Sequence, residues 1–253
     1  MSQVALQEIR ELSTDDYQAL RLSCMSSTEG GAFLLGSPST KFRTKLDNAS
    51  FLCSIRFRLG QPVAAESVCS SGHRLDSLGA HALVCRRNPG KHIRHRLINE
   101  CVRDCFQQVE LPTLLEPVGL SRADGKRRDG FTVLPYSNGH ALSWDVTCVH
   151  PLADSYVATA SIGPTSVAAM AEERKRKKYE NVLDRVDFVS LAVETTGGAG
   201  LSLLNLLRQL SSRSDVRSGT PGSYRRMLRA LSTALQLGNA ACILELRGRS
   251  ELP

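Results

Sequence analysis

Apolar positions recur along this chain with two different periods, and the switches between them outline its elements. To about residue 60 the period is helical: "STDDYQALRLSCM" begins at an N-cap candidate with acids in its first turn. "DNASFLCSIRFRL" repeats the pattern, with Phe51, Leu52, Ile55 and Leu59 predicted on one side. From 62 to 90 the periodicity fades into a Gly-, Ser-, His- and Cys-bearing stretch. "KHIRHRLINECVRDCFQQV", residues 91–109, restores the helix and places Ile93, Leu97, Cys101, Val102, Cys105 and Val109 on one face. A short strand, "TLLEPV", follows, and "GKRRDGFTVLPYSNGHALSWDVT" reads as a hairpin across a Ser-Asn-Gly turn. A helix is expected over roughly 164–186, with Pro164 near its start, then a strand "DFVSLAVE". "TTGGAG" turns into the helix "LSLLNLLRQL", "SSRSDVRSGTPGS" reads as a linker, and "YRRMLRALSTALQLGNAACILEL" as a last helix. No internal repeat is visible, and from 91 to 194 the predicted order is α-β-β-β-α-β.

At 253 residues and 42% hydrophobic content the chain can bury a real core, as one large domain or two small ones. No apolar run approaches the ~20 residues of a membrane span, and the N-terminus lacks an apolar signal core, so an intracellular protein without membrane association is expected. The eight Cys are scattered, which suggests reduced thiols or a metal site before a disulfide framework. The formal charge of +7 concentrates in "CRRNPGKHIRHR" and "RKRKK", which points to a phosphate-bearing partner or, equally, to two solvated helix ends.

Asp129 enters the first strand of the hairpin and Asp145 lies inside the second, beside the only Trp. Carboxylates on adjacent strands can meet at one end of a sheet and share a hard divalent ion, while a nearby Lys stabilises a phosphate. Acids of an edge hairpin pointing to solvent are the plainer alternative.

The succession "RHRLIN", "EPVGLSRADGKRRDG", "WDVT" and "EERKRKKY" resembles the restriction-like endonuclease of the PD-(D/E)XK superfamily found C-terminal to the polymerase of non-LTR retrotransposons. The similarity runs from about residue 50 to 195, with the motifs in family order. It implies an α+β fold: a nuclease-like mixed sheet flanked by helices, with N-terminal helices, a Cys/His zinc-knuckle-like loop and C-terminal helices. Carried over, Asp129 is the acid of the "PD" motif, with Arg128 in place of its Pro, and Asp145 is the second acid. Thr147 stands at the standard Lys position. The lysine displaced onto the following helix is Lys175, closed by Tyr179, with Lys177 and Lys178 as competitors. Glu116 matches the Glu of an "EP" pair, and with Glu100 is expected to support the metal. Arg86, Arg87, Lys91, Arg94, His95 and Arg96 are expected at DNA, with Asn99 beside them.

Cys69, His73, His81 and Cys85 form a C-x3-H-x7-H-x3-C stretch suited to Zn²⁺. Ser71 falls where the resembling elements have their second Cys, so a decayed site is the alternative.

The expected function is Mg²⁺- or Mn²⁺-dependent DNA nicking of the kind that primes reverse transcription, in the nucleus. DNA is the expected partner, with element RNA or a separately encoded reverse transcriptase as further ones. The other class is a catalytically inactive nucleic-acid-binding remnant or domesticated module. No polymerase is expected before residue 50, which implies a fragment, a separately expressed remnant or a domesticated copy. The expected divisions are an N-terminal helical segment (1–60), a knuckle-like segment (61–90), the endonuclease domain (91–213) and a C-terminal helical tail (214–253).

Overall fold

The computed structural model describes residues 15–117, 128–179 and 186–246. Helix α1 (Asp16–Cys24) starts at Asp15, whose carboxylate accepts from the Tyr17 amide at 2.9 Å. Helix α2 (Asn48–Leu59) is capped likewise by Asp47 and stops at Gly60, in the left-handed region at φ 67°. Its inward face is Ser50, Cys53, Ser54 and Phe57, whereas Phe51, Leu52 and Leu59 are exposed. This overturns the face expected from apolar spacing: small residues let α2 approach the core closely, and its larger apolar side chains are left outside.

A two-stranded hairpin, β1 (Ser67–Val68) and β2 (Arg74–Leu75), and a short helix α3 (Ala80–Val84) make up the knuckle segment. Then come α4 (Gly90–Gln107), β3 (Thr113–Leu115), β4 (Gly130–Thr132), β5 (Ala141–Val149), the short α5 (Val157–Ala160), α6 (Ser166–Tyr179) and β6 (Val186–Glu194). The four strands pair in the order β3-β4-β5-β6, antiparallel except for the parallel β5–β6 pair that the α6 crossover allows. The fold is therefore mixed α and β, with one mixed sheet, and the expected α-β-β-β-α-β order holds from Gly90 to Glu194 apart from the short α5 inserted before the crossover helix.

The β4–β5 connection turns at Asn138 (φ 51°) and Gly139 (φ 76°), consecutive left-handed residues as a tight hairpin requires. Along β5 the side chains alternate. Leu142, Trp144 and Val146 join the main core with α4 and with α7 (Leu201–Ser218) and α8 (Ser223–Leu246), so Asp145 faces the other side, towards α6. Gly130 lies flat against the Trp144 ring and leaves no room for a Cβ.

The stretch expected as a linker is mostly helix: α7 continues to Ser218, because Ser211 and Ser214 are buried and Ser223 Oγ donates to Ser214 Oγ at 3.0 Å. Helix α8 is long and apolar enough, by length and composition, to cross a membrane. Its apolar residues are consumed by packing on α4, α7 and α2, with Gly90 held against the Cys242 backbone.

Two buried carboxylates organise the α6 side. Glu172 accepts from the Ser202 and Leu203 amides at 3.0 and 3.2 Å, occupying the N-terminus of α7. Glu194 accepts from the Ala168 amide at 3.0 Å and caps α6 in the same way. Glu172 thus fills the helix N-terminus that "TTGGAG" leads into.

His150 is buried with Nδ1 2.6 Å from Thr195 Oγ1 and no partner at Nε2 among the described residues. Burial, then the Arg94 charge, push its imidazole down to about 4. In the unfolded chain it protonates at about 6.5, so between that pH and about 4 the unfolded state binds more protons. Stability is therefore expected to fall across this window, by on the order of 3 kcal/mol. Urea midpoints measured from pH 7 to 4 should fall less steeply in His150→Asn; an equal slope would contradict the assignment.

Candidate functional site

Strand β4 begins at Gly130, opposite Trp144, and one residue earlier the two strands part. The Asp129 amide still donates to Trp144 O at 3.1 Å, but the next β5 donor, Val146 N–H, is taken by Asp129 Oδ2 at 2.6 Å. A side chain thus replaces the missing strand, which fixes the carboxylate against β5 beside Asp145. The same Oδ2 lies 3.0 Å from His95 Nε2 on α4. Asn99, one turn later on α4, lies 3.4 Å from the His95 ring and accepts from Trp144 Nε1–H at 3.1 Å. The buried Trp therefore orients Asn99, and Asn99 flanks the imidazole that holds Asp129.

From the opposite side of β5, Lys175 Nζ on α6 donates to Asp145 Oδ1 in an ion pair. Lys175 follows Ala168, Ala171 and Glu172 on the buried face of α6, one turn before the buried Tyr179. Lys177 instead pairs with Glu173 at 3.4 Å, and Lys178 lies over the Tyr179 ring. Asp129, Asp145 and Lys175 are thus brought together. Thr147 has its hydroxyl buried with no partner among the described residues.

The electrostatics separate the two acids. Burial raises the Asp129 carboxyl, but the His95 hydrogen bond, the imidazole's charge and the Val146 amide outweigh it, leaving Asp129 below its ordinary value. Burial and then the charge of Asp129 push Asp145 up, and Lys175 opposes this without cancelling it. The hydrogen bond to Asp129 raises the His95 imidazole against its own burial. Two converging carboxylates, one destabilised by the other, are a donor set that suits a hard divalent cation.

Arg128 is fully buried: its guanidinium donates to Ser143 Oγ and lies 5.2 and 5.8 Å from the Phe188 and Tyr179 rings. The Tyr179 ring packs on Phe188 with centroids 4.6 Å apart and planes tilted by 32°. Glu116 is tied by its backbone, its N–H donating to Asp129 O at 2.9 Å, and its side chain is exposed. Glu100 pairs with Arg43 at 3.0 Å, outside the acid cluster.

Two of the expected DNA contacts do other work. Arg94 is buried between α4 and α8, donating to Asn239 Oδ1 and Leu83 O at 3.3 and 3.1 Å, because Gly238 opens a channel for its stem. His95 turns to Asp129. Arg86, Arg87 and Arg96 are exposed, and Lys91 donates to Val84 O at 3.3 Å.

In the knuckle, the Cys69 amide donates to His73 O at 2.9 Å and closes the β1–β2 turn, while Asp76 caps α3 and presents His81 and, at its end, Cys85. Cys69 Sγ, the His81 ring nitrogen and Cys85 Sγ lie within 4.8 Å of one another. His73 is outside this group; Ser71 Oγ stands nearest, 2.8 Å from Cys69 Sγ and 3.7 Å from Cys85 Sγ, with His73 Nδ1 behind it at 3.1 Å. The Ser71 hydrogen bond, against burial, lowers the Cys69 thiol to about 6, so a thiolate is accessible at neutral pH.

The sequence matches no protein-family model, and no curated protein matches it significantly.

Proposed function

We propose that the chain is a metal-dependent DNA endonuclease domain of the restriction-like, retrotransposon-derived type, cutting one strand of its target. The observation that carries this reading is the meeting of Asp129, Asp145 and Lys175 at the point where β4 leaves β5, inside an α-β-β-β-α-β unit. Asp129 and Asp145 would hold Mg²⁺ or Mn²⁺, which when bound supplies charge neutralisation and an activated water. Lys175, which reaches the same cluster, would supply an ammonium to the scissile phosphate. His95, fixed by Asn99, keeps Asp129 ionised. Exposed Arg86, Arg87 and Arg96 are proposed to contact duplex phosphates, and a nuclear location follows from a DNA substrate. Incubation with supercoiled plasmid and Mg²⁺ or Mn²⁺ should yield open circles; intact plasmid with both metals and retained DNA binding would favour the inactive module. The Lys175–Asp145 ion pair is what favours that second reading, since it neutralises one acid without a metal.

The knuckle is proposed to hold Zn²⁺ through Cys69, His81 and Cys85, with a fourth position beside Ser71. Purified protein should carry near one zinc per chain, Cys85→Ser should lose it, and Ser71→Cys should slow its removal by chelator. Metal-free protein under reducing conditions, with unchanged stability, would contradict the site.

A further inference from the structure

A second cleft lies on the far side of α4 from the acids. His95 and Asn99 face Asp129, whereas Leu97, Cys101 and Asp104, about half a turn round the helix, floor a cavity of about 890 Å³ between α4, α8 and the loop before α2. That loop reads Thr40-Lys41-Phe42-Arg43-Thr44-Lys45, alternating cations with an exposed aromatic ring. Cations outnumber acids on the lining: Lys41, Arg43, Lys45, Arg103 and Arg226 against Asp47 and Asp104. The acids are also committed. Asp47 accepts from Ser50 N–H at 2.9 Å and Ser50 Oγ at 2.6 Å, and Asp104 is engaged by Arg43 at 3.1 Å and Arg103 at 2.9 Å. Lys41 and Lys45 are exposed, with no carboxylate within ion-pair distance among the described residues.

We infer that this cleft binds a single-stranded polynucleotide, with a base stacked on Phe42 and its phosphates held by Lys41 and Lys45. An aromatic face between cations is the recognition chemistry of single strands. A duplex keeps its base faces stacked inward and has none to offer Phe42. An apolar floor of Leu97, Cys101 and Ala230 suits a base, and Arg43, now bridged to Glu100 and Asp104 across the cleft, is a further phosphate donor. The site shares no residue with the acid cluster, so the inference stands independently of the nuclease reading.

The test is fluorescence anisotropy with labelled 12-nucleotide oligo-dT and oligo-rU and a 12-base-pair duplex, without divalent metal. Phe42→Ala should weaken single-strand binding about tenfold or more, and Phe42→Tyr should restore it. Lys41→Ala/Lys45→Ala should reduce the log–log salt slope by roughly 1.4. Duplex affinity and melting temperature should not change. Binding of either polymer supports the inference, and a preference identifies DNA or RNA as the ligand. Single-strand binding that is absent, unaltered by both variants, or lost in parallel with duplex binding would overturn it, as would an acidic peptide displacing the oligonucleotide from Phe42. Failure of plasmid nicking bears on the acids alone.

Discussion

Trp144→Ala is expected to destabilise the fold by roughly 3–5 kcal/mol, the cost of emptying a large buried aromatic site. Trp144 is fully buried, stacks on Phe106 at 5.0 Å and fills the space that Gly130 leaves on β4. Its indole N–H is also what Asn99 accepts. In a domain of this size each kcal/mol moves the melting temperature by about 2–4 °C, so a drop of roughly 6–20 °C is expected by calorimetry. Trp144→Phe separates two effects. It keeps most of the packing but leaves Asn99 Oδ1 without its donor, a loss of roughly 1–3 kcal/mol that acts next to His95 and Asp129. Under the proposed function, Trp144→Phe should lower nicking more than its stability loss alone explains. A Trp144→Ala protein that melts like wild type would contradict the packing described.

The second large effect is expected at Asp145. Removing it takes away a carboxylate that would hold the metal, several kcal/mol of transition-state stabilisation, or about 10³-fold in nicking rate. DNA affinity should be equal or slightly higher, since the change removes a negative charge and no cation. Stability should move the other way from activity. Burial and the Asp129 charge raise Asp145, so its ionised form is disfavoured in the fold at neutral pH. Asp145→Asn should therefore melt at or above the wild-type temperature while failing to nick, as strained functional groups do. A variant that loses stability and activity together would make Asp145 a structural partner of Lys175 only.

The element order from α4 to β6 was legible because its periods are clean. Cys101, Val102 and Cys105 share a helical face, and Leu142, Trp144 and Val146 alternate along a strand with Asp145 between them. Lys175 was legible as a position but not as a choice, since a basic run hides the buried face that Ala168, Glu172 and Tyr179 define. Arg94 and His95 looked alike in sequence, as cations at a helix start. What divides them is the neighbour each meets: Gly238 of α8 for one and Asp129 for the other, contacts over long sequence separations. The same limit applies to α2, where close packing selects Ser50 and Ser54 over Phe51 and Leu52. Serine-rich composition disguised the end of α7, whose serines hydrogen-bond and pack inside. The caps from Glu172 and Glu194 left no local signal, because Glu172 on α6 serves α7 across the intervening β6, and Glu194 at the end of β6 reaches back to α6.

Asp129 and Asp145 are proposed to seat a divalent ion jointly. The most direct measurement is anomalous diffraction from crystals soaked in Mn²⁺ at neutral pH. A manganese peak bound by both carboxylates is expected, with Lys175 withdrawn from Asp145 and the peak absent in Asp145→Asn. Density showing Lys175 still paired with Asp145 and no manganese between the two acids would contradict it.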